Sequence, residues 1–191
     1  MKLSREFYRQ SALIVARELI GKKLICKTTE GLTGGIIIEA EAYMGANDAA
    51  AHSYKNRRTN RTEAMFNDGG HAYIYLIYGM YICFNVVANV KDIPEAVLIR
   101  AIKPTDGFEL MQRRRNKQLI KDLCSGPGKL TQALGITRNH YNIDLCGDEI
   151  YIESTDLKLE VERTKRINID YAGEAANYPW RFIAKNIDGV I

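Results

Sequence analysis

Cysteine is scarce in this chain of 191 residues and poorly spaced for a metal: Cys26, Cys83, Cys124 and Cys146 include no Cys-x-x-Cys pair. That argues against the common zinc modules and against a secreted disulfide framework, and leaves reduced, buried thiols as the expectation. Histidine occurs only at His52, His71 and His140, none in a metal-ligand spacing, so no metal site is expected. Long apolar runs are missing too. None approaches the ~18 residues needed to span a bilayer, and the opening Met-Lys-Leu-Ser-Arg-Glu has no signal-peptide core. A cytoplasmic protein without a membrane partner is expected. Repeats, low-complexity tracts and linkers are also lacking, which at this length points to one domain.

What is present is an ordinary soluble composition, 46% hydrophobic and 26% charged, with a net charge of +4. The distribution of that charge says more than its sum. Arg57, Arg58 and Arg61 form one cluster, Arg113, Arg114, Arg115 and Lys117 a second, and Arg163, Lys165 and Arg166 a third. Any one of these reads equally as a solvated face. Three of them with tyrosines between favour a polyanion such as nucleic acid.

Along the chain, Ser4 is placed to cap a helix running to about residue 20, with Phe7, Leu13, Ala16 and Ile20 as its buried stripe and Gly21 as its stop. Residues 23–28 and 35–43 read as strands, and residues 48–53 as a short helix. The tyrosine-rich run 71–78, a bend at Gly79-Met80 and residues 81–88 read as an antiparallel hairpin. Residues 96–102 make another strand, ended by Pro104. A charged helix is predicted over 107–120, and a second one starts at Pro127 and stops at Gly135. Short strands with turns follow from residue 149. Strands and helices do not alternate as βαβ units, so the pattern predicts an α+β fold with a mostly antiparallel sheet.

Period-two alternation places Ile37, Glu39, Glu41 and Tyr43 on one strand face, with Ile36, Ile38, Ala40 and Ala42 as the core face. Glu41 then stands beside an aromatic wall, although an exposed face bearing two glutamates reads the same way. In the hairpin, His71, Tyr73, Tyr75 and Ile77 share one face, and Ala72, Ile74, Leu76 and Tyr78 the other. Tyr75 can line a pocket. Tyr78, beside the bend, stands where an exposed wedge would suit insertion between stacked bases. Arg100 interrupts an apolar strand and needs either a carboxylate, with Glu41 as candidate, or an edge position open to solvent. Ser125-Gly126-Pro127-Gly128-Lys129 opens a helix whose free N–H groups, with Lys129, could hold a phosphate. It lacks P-loop spacing and is weak evidence alone.

These segments together resemble the alkyladenine (3-methyladenine, or methylpurine) DNA glycosylase family. The resemblance rests on Glu39-Ala-Glu-Ala-Tyr43 with Gly45, Ala50-Ala-His52-Ser53, Met65-Phe66, and Tyr73-Ile-Tyr-Leu-Ile-Tyr-Gly-Met-Tyr81 with Asn85. It continues through Val97-Leu-Ile-Arg-Ala101 before Pro104, Ser125-Gly-Pro-Gly-Lys-Leu-Thr-Gln-Ala-Leu-Gly-Ile136 and Pro179-Trp-Arg-Phe182. The ordered set spans nearly the whole chain. It implies a single domain with a curved antiparallel sheet flanked by helices and a protruding hairpin. It also implies a monofunctional, cofactor-free base-excision enzyme, acting as a monomer on double-stranded DNA that contains alkylated or deaminated purines, at the nucleoid in a prokaryote. By that resemblance Glu41 activates the attacking water, Arg100 and the main-chain carbonyl of Ile167 hold it, and Tyr43, Ala50, His52 and Tyr75 enclose the flipped base. Asn85 then screens the purine edge and Tyr78 fills the gap in the duplex, while a phosphate contact from Gly128 and Lys129 rests on the helix opening alone. Relatives commonly show Arg-Ile-Gly-Ile where this chain has Arg166-Ile167-Asn168-Ile169, so the Ile167 contact depends on Asn168 accepting left-handed geometry. Two other readings stand beside this one: a catalytically silent DNA-binding module, and a small-molecule hydrolase using Glu41 and His52.

Overall fold

A computed structural model describes residues 1–77, 79–185 and 187. Its centre is a strand of thirteen residues, β2 (Gly31–Tyr43), which follows β1 (Lys23–Thr28) across a tight turn. β2 pairs with β1 over its first half, with β5 (Glu95–Asp106) along its length, and with β8 (Arg181–Ala184) where β1 has ended. The hairpin β3 (Ala72–Ile77) and β4 (Tyr81–Ala88) joins through β4 to β5. The strand order is β3-β4-β5-β2-β1-β6, with β6 (Ile150–Glu153) beyond β1 and β7 (Val161–Thr164) beyond β8. Every pairing is antiparallel, and the sheet curls into a half-barrel, an α+β fold as expected.

Helices cover one face. α2 (Ala12–Leu19) sets Ala12, Val15, Ala16 and Leu19 into the core, and α4 (Pro127–Leu134) adds Leu130, Ala133 and Leu134 against Phe84, Val97 and Ile99. α3 (Phe108–Arg115) packs on α4 and stops five residues before the predicted end, where Asn116 takes a left-handed conformation. No helix among the described residues is long and apolar enough to cross a membrane.

Several expectations are corrected. The N-terminal helix is two: α1 (Arg5–Tyr8) and α2, broken at residues 9–11. The break is fixed from far away, because the buried Glu95 carboxylate accepts the Ala12 N–H at 2.7 Å and so caps the second helix. Ser4 makes no side-chain cap. Residues 48–53 form turns rather than a helix. β5 runs through Pro104, which sits opposite Gly35, to Asp106. Cys146 is half-buried, unlike the other three thiols.

The core face of β2 also departs from simple alternation. Between Ile37 and Glu39, Ile38 has no partner in the register, and one step later Arg100 of β5 has none. Two opposed bulges therefore follow each other. They bring Ile37 into the core cluster with Ala40 and Ala42 and leave Ile38 half-buried, while Ile36 is buried outside that cluster. Bulges re-aim side chains, and this pair turns Arg100 toward the carboxylates of the uncovered face.

Candidate active site

Directly opposed residues in an antiparallel pair share a face. The register aligns Glu41 with Leu98, Leu98 with Asn85, and Asn85 with Tyr73, one row crossing four strands on the face that the helices leave free. Tyr75 and Cys83 form the next row outward. Glu41 and Tyr43 do share a side of β2, as alternation suggested.

Glu41 is fully buried. Its Oε2 accepts the Tyr43 hydroxyl at 2.9 Å, and its Oε1 accepts the Ile167 N–H at 2.8 Å, with Arg100 Nη1 3.5 Å from the same oxygen. Desolvation raises the Glu41 carboxyl above the ordinary range, while the Arg100 charge, the Ile167 N–H and the Tyr43 hydroxyl oppose that rise. Arg100 makes its tighter contact with Glu39, Nε to Oε1 at 2.8 Å, and the same oxygen accepts Arg181 Nε at 2.7 Å. Glu39, not Glu41, is thus the principal partner of Arg100, and the guanidinium is not at a solvent edge.

In front of Tyr43 lies a small, partly open cleft. Tyr43, Ala50, His52, Tyr75 and Asn85 all line it, so five of the residues singled out in the sequence meet here. His52 meets the Tyr75 ring edge-on at 4.6 Å and shares a 2.8 Å hydrogen bond through Nδ1 with the Tyr73 hydroxyl. Burial, aided by the charges of Arg61 and Arg57, lowers the His52 pKa to about 4, so the ring is neutral at physiological pH. Asn85 donates Nδ2–H to the Tyr73 carbonyl at 3.0 Å, and the Ala50 carbonyl accepts the Tyr171 hydroxyl at 3.3 Å.

Other positions fall differently. From Ile167 it is the N–H that reaches Glu41, and Asn168 takes the left-handed conformation (φ 58°) that a glycine would adopt there. Tyr78 lies outside the described residues. Gly128 and Lys129 stand in the first turn of α4, away from the cleft lining. A Cβ on Gly128 would come within 3.1 Å of the Tyr81 side chain, so this glycine permits close packing against the turn end of the hairpin, and Lys129 Nζ reaches Ser125 Oγ at 3.3 Å.

Sequence reasoning missed Met65, Tyr73 and Tyr171 as cleft walls, and missed Asp48 altogether. Arg166, read as part of a basic cluster, is buried. It donates from both terminal nitrogens to the wholly buried Asp48, with Nη2 to Oδ1 at 2.8 Å. Their separation of 118 positions leaves no local signal. Arg114 is likewise engaged, with Glu30, Thr28 and the Ala133 carbonyl. Among the described residues, no group of three or more His, Cys, Asp or Glu side chains is placed to hold a metal ion.

The model of the family described as methylpurine-DNA glycosylase (MPG) matches residues 6–188. A protein of Clostridium acetobutylicum, provisionally named a 3-methyladenine DNA glycosylase, is 50% identical over 194 residues, covering 97% of this chain and 95% of its own. Proteins given the same provisional name in Alkaliphilus oremlandii and Bacillus cytotoxicus are 47% and 48% identical, each over 97% of this chain and over 96% and 97% of their own lengths. Matched over almost its full length, and with its carboxylate set behind an aromatic cleft, the chain belongs to the methylpurine-DNA glycosylase family and is a DNA N-glycosylase.

Proposed function

We propose that this protein removes alkylated or deaminated purines (3-methyladenine, ethenoadenine and hypoxanthine) from duplex DNA by flipping the nucleotide into the Tyr43–His52–Tyr75 cleft and attacking the glycosidic carbon with water activated by Glu41. The observation that carries this reading is the Glu41 carboxylate, buried but reached by three donors, immediately behind a tyrosine that lines the cleft.

A purine within the duplex hides its glycosidic bond, and everting it costs a few kcal/mol. Stacking on an aromatic face returns roughly 1–3 kcal/mol per base, and the cleft offers Tyr43 and Tyr75 for it. Damaged pairs open more easily, which adds a first layer of selection. The neutral His52 ring can lie against a base without adding charge, while Asn85 faces the base edge and Ala50 leaves room for it. Bond cleavage develops positive charge on the sugar. A carboxylate buried at zero exposure both stabilises that charge and takes a proton from water, and a raised pKa makes it the stronger base. Arg100 keeps Glu41 ionised and orients the water, with the Ile167 backbone at the same carboxylate. Tyr78 is assigned the wedge that fills the vacated stack, and Gly128 and Lys129 a phosphate contact.

The test is base release from duplexes bearing 3-methyladenine, ethenoadenine or hypoxanthine. Wild type should release at least one of them, and Glu41→Gln should lose on the order of 10²–10⁴ in rate while still binding the duplex. No release by wild type, or release by Glu41→Gln at an equal rate, ends this reading. A silent binding module would show duplex affinity indifferent to lesions.

A further inference from the structure

The Arg166–Asp48 pair is buried deeper than any phosphate-binding group should be, and its contacts converge on the cleft and on Glu41 together. Arg166 Nη1 donates to the carbonyl of Ala42, the residue between Glu41 and Tyr43, at 2.9 Å, and Nη2 donates to the Ala175 carbonyl at 3.2 Å. The flat guanidinium lies 4.7 Å from the Tyr43 ring and 4.9 Å from the Trp180 ring. Tyr43 lines the cleft and Arg166 does not, so the cation packs behind the wall. Asp48 in turn accepts the Ala50 N–H at 3.0 Å and the Met44 N–H at 3.1 Å. With Arg166 it therefore has four donors on two oxygens, while the buried Arg166 Nε has no hydrogen-bond partner among the described residues. The residue after Arg166 supplies the N–H on Glu41.

We infer that Arg166 and Asp48 are positioning residues for the glycosylase reaction: the pair fixes the Tyr43 wall and the Ala50 floor relative to Glu41 and holds the Ile167 N–H on the carboxylate. This rests on Glu41 being the general base. Neither residue touches the base or the water. A misplacement of about 1 Å in such a frame is worth on the order of 10²-fold in rate. Loss of one hydrogen bond to a charged carboxylate raises its pKa by about one unit. The groups that otherwise face Glu41 are Arg100 and Glu39 from β5 and β2, Tyr43 beside it, Tyr75 and Cys83 from the hairpin, and Tyr171 across the cleft. None of them is itself substituted in the variants below.

Single-turnover release from a lesion duplex is measured across acid and neutral pH, below each protein's melting point, for four variants. Asp48→Asn is nearly isosteric. Arg166→Lys keeps the charge but not the fork or the stacking plane. The double change Asp48→Leu with Arg166→Met removes both buried charges and can recover the stability that either single change loses. Glu41→Gln is the control. The expected result is release on the order of 10²-fold slower, an acid limb moved up by about one pH unit, and duplex binding unchanged, with the double variant no faster although it melts higher. A purely structural pair predicts the opposite. If a variant melts lower than wild type yet releases base at the wild-type rate with the limb unmoved, or if the double variant recovers rate along with stability, the inference is overturned. Should Glu41→Gln itself release base normally, the underlying mechanism fails instead, and the control keeps the two failures apart.

Discussion

In the proposed mechanism Glu41 is asked to do two opposed things, to be buried and to be charged. Burial strengthens it as a base and excludes bulk water, but the ionised form is disfavoured there, and its pKa is raised in spite of Arg100, the Ile167 N–H and the Tyr43 hydroxyl. The sign of the resulting pH dependence follows directly. A group whose folded pKa lies above its unfolded value of ~4.3 favours the fold when protonated, and that contribution fades as pH rises through the folded pKa. The charge that the proposed mechanism needs is therefore present only where it weakens the fold. Base release should climb with pH along an acid limb lying above the ordinary glutamate range. Glu41→Gln, which cannot ionise, should melt higher than wild type at neutral pH, and the gap should close as pH falls toward ~4. Thermal melts of both proteins at the two pH values check this, and a neutral-pH melt lower for Glu41→Gln would show that the carboxylate stabilises the fold rather than straining it.

At the scale of elements, the turn carrying Ile167 depends on Asn168, whose φ of 58° lies where β-branched residues are strained. Asn168→Gly should leave base release as in wild type. Asn168→Val should cost about 1–2 kcal/mol of stability and slow release, because the Ile167 N–H would leave Glu41; melting curves and release rates measure both. That a residue this small could be flagged from the sequence shows what was legible there: features with a local cause. The alternation of the tyrosine run gave the hairpin and its two faces. Pro127 and Gly135 bounded α4, and Glu41 and Tyr43 two positions apart on a strand had to point together. Features with distant causes were hidden. Glu95 caps α2 from 83 positions away, Asp48 finds Arg166 across 118, and the paired bulges at Ile38 and Arg100 exist only in the register between two strands. Arg100 was seen to need a carboxylate, yet nothing local distinguished Glu39 from Glu41.

Over the whole molecule, the basic residues divide by what they already hold. Arg114 and Arg166 are spent within the fold, on Glu30 with Thr28 and on Asp48, and are not free for a polyanion. Arg57 and Arg61 differ. Both line a groove that shares Ala50, His52 and Tyr171 with the Tyr43–Tyr75 cleft, and the Arg61 guanidinium lies 5.3 Å from the Tyr75 ring. Their charges already reach the site, since both depress the His52 pKa. A duplex presenting an everted base to the cleft would lay its flanking phosphates along this groove. Each phosphate neutralised steepens the fall of log affinity with log salt by ~0.9. Arg57→Gln with Arg61→Gln should therefore weaken binding of lesion and undamaged duplex alike and flatten the salt slope by nearly two. Arg114→Gln should leave the slope alone and lower the melting point instead, because it strands Glu30 and frees the Thr28 and Ala133 contacts. Titrations at several salt concentrations separate these outcomes. A slope that moved with Arg114 but not with the Arg57–Arg61 pair would put the duplex on the other side of the hairpin, where Gly128 and Lys129 stand.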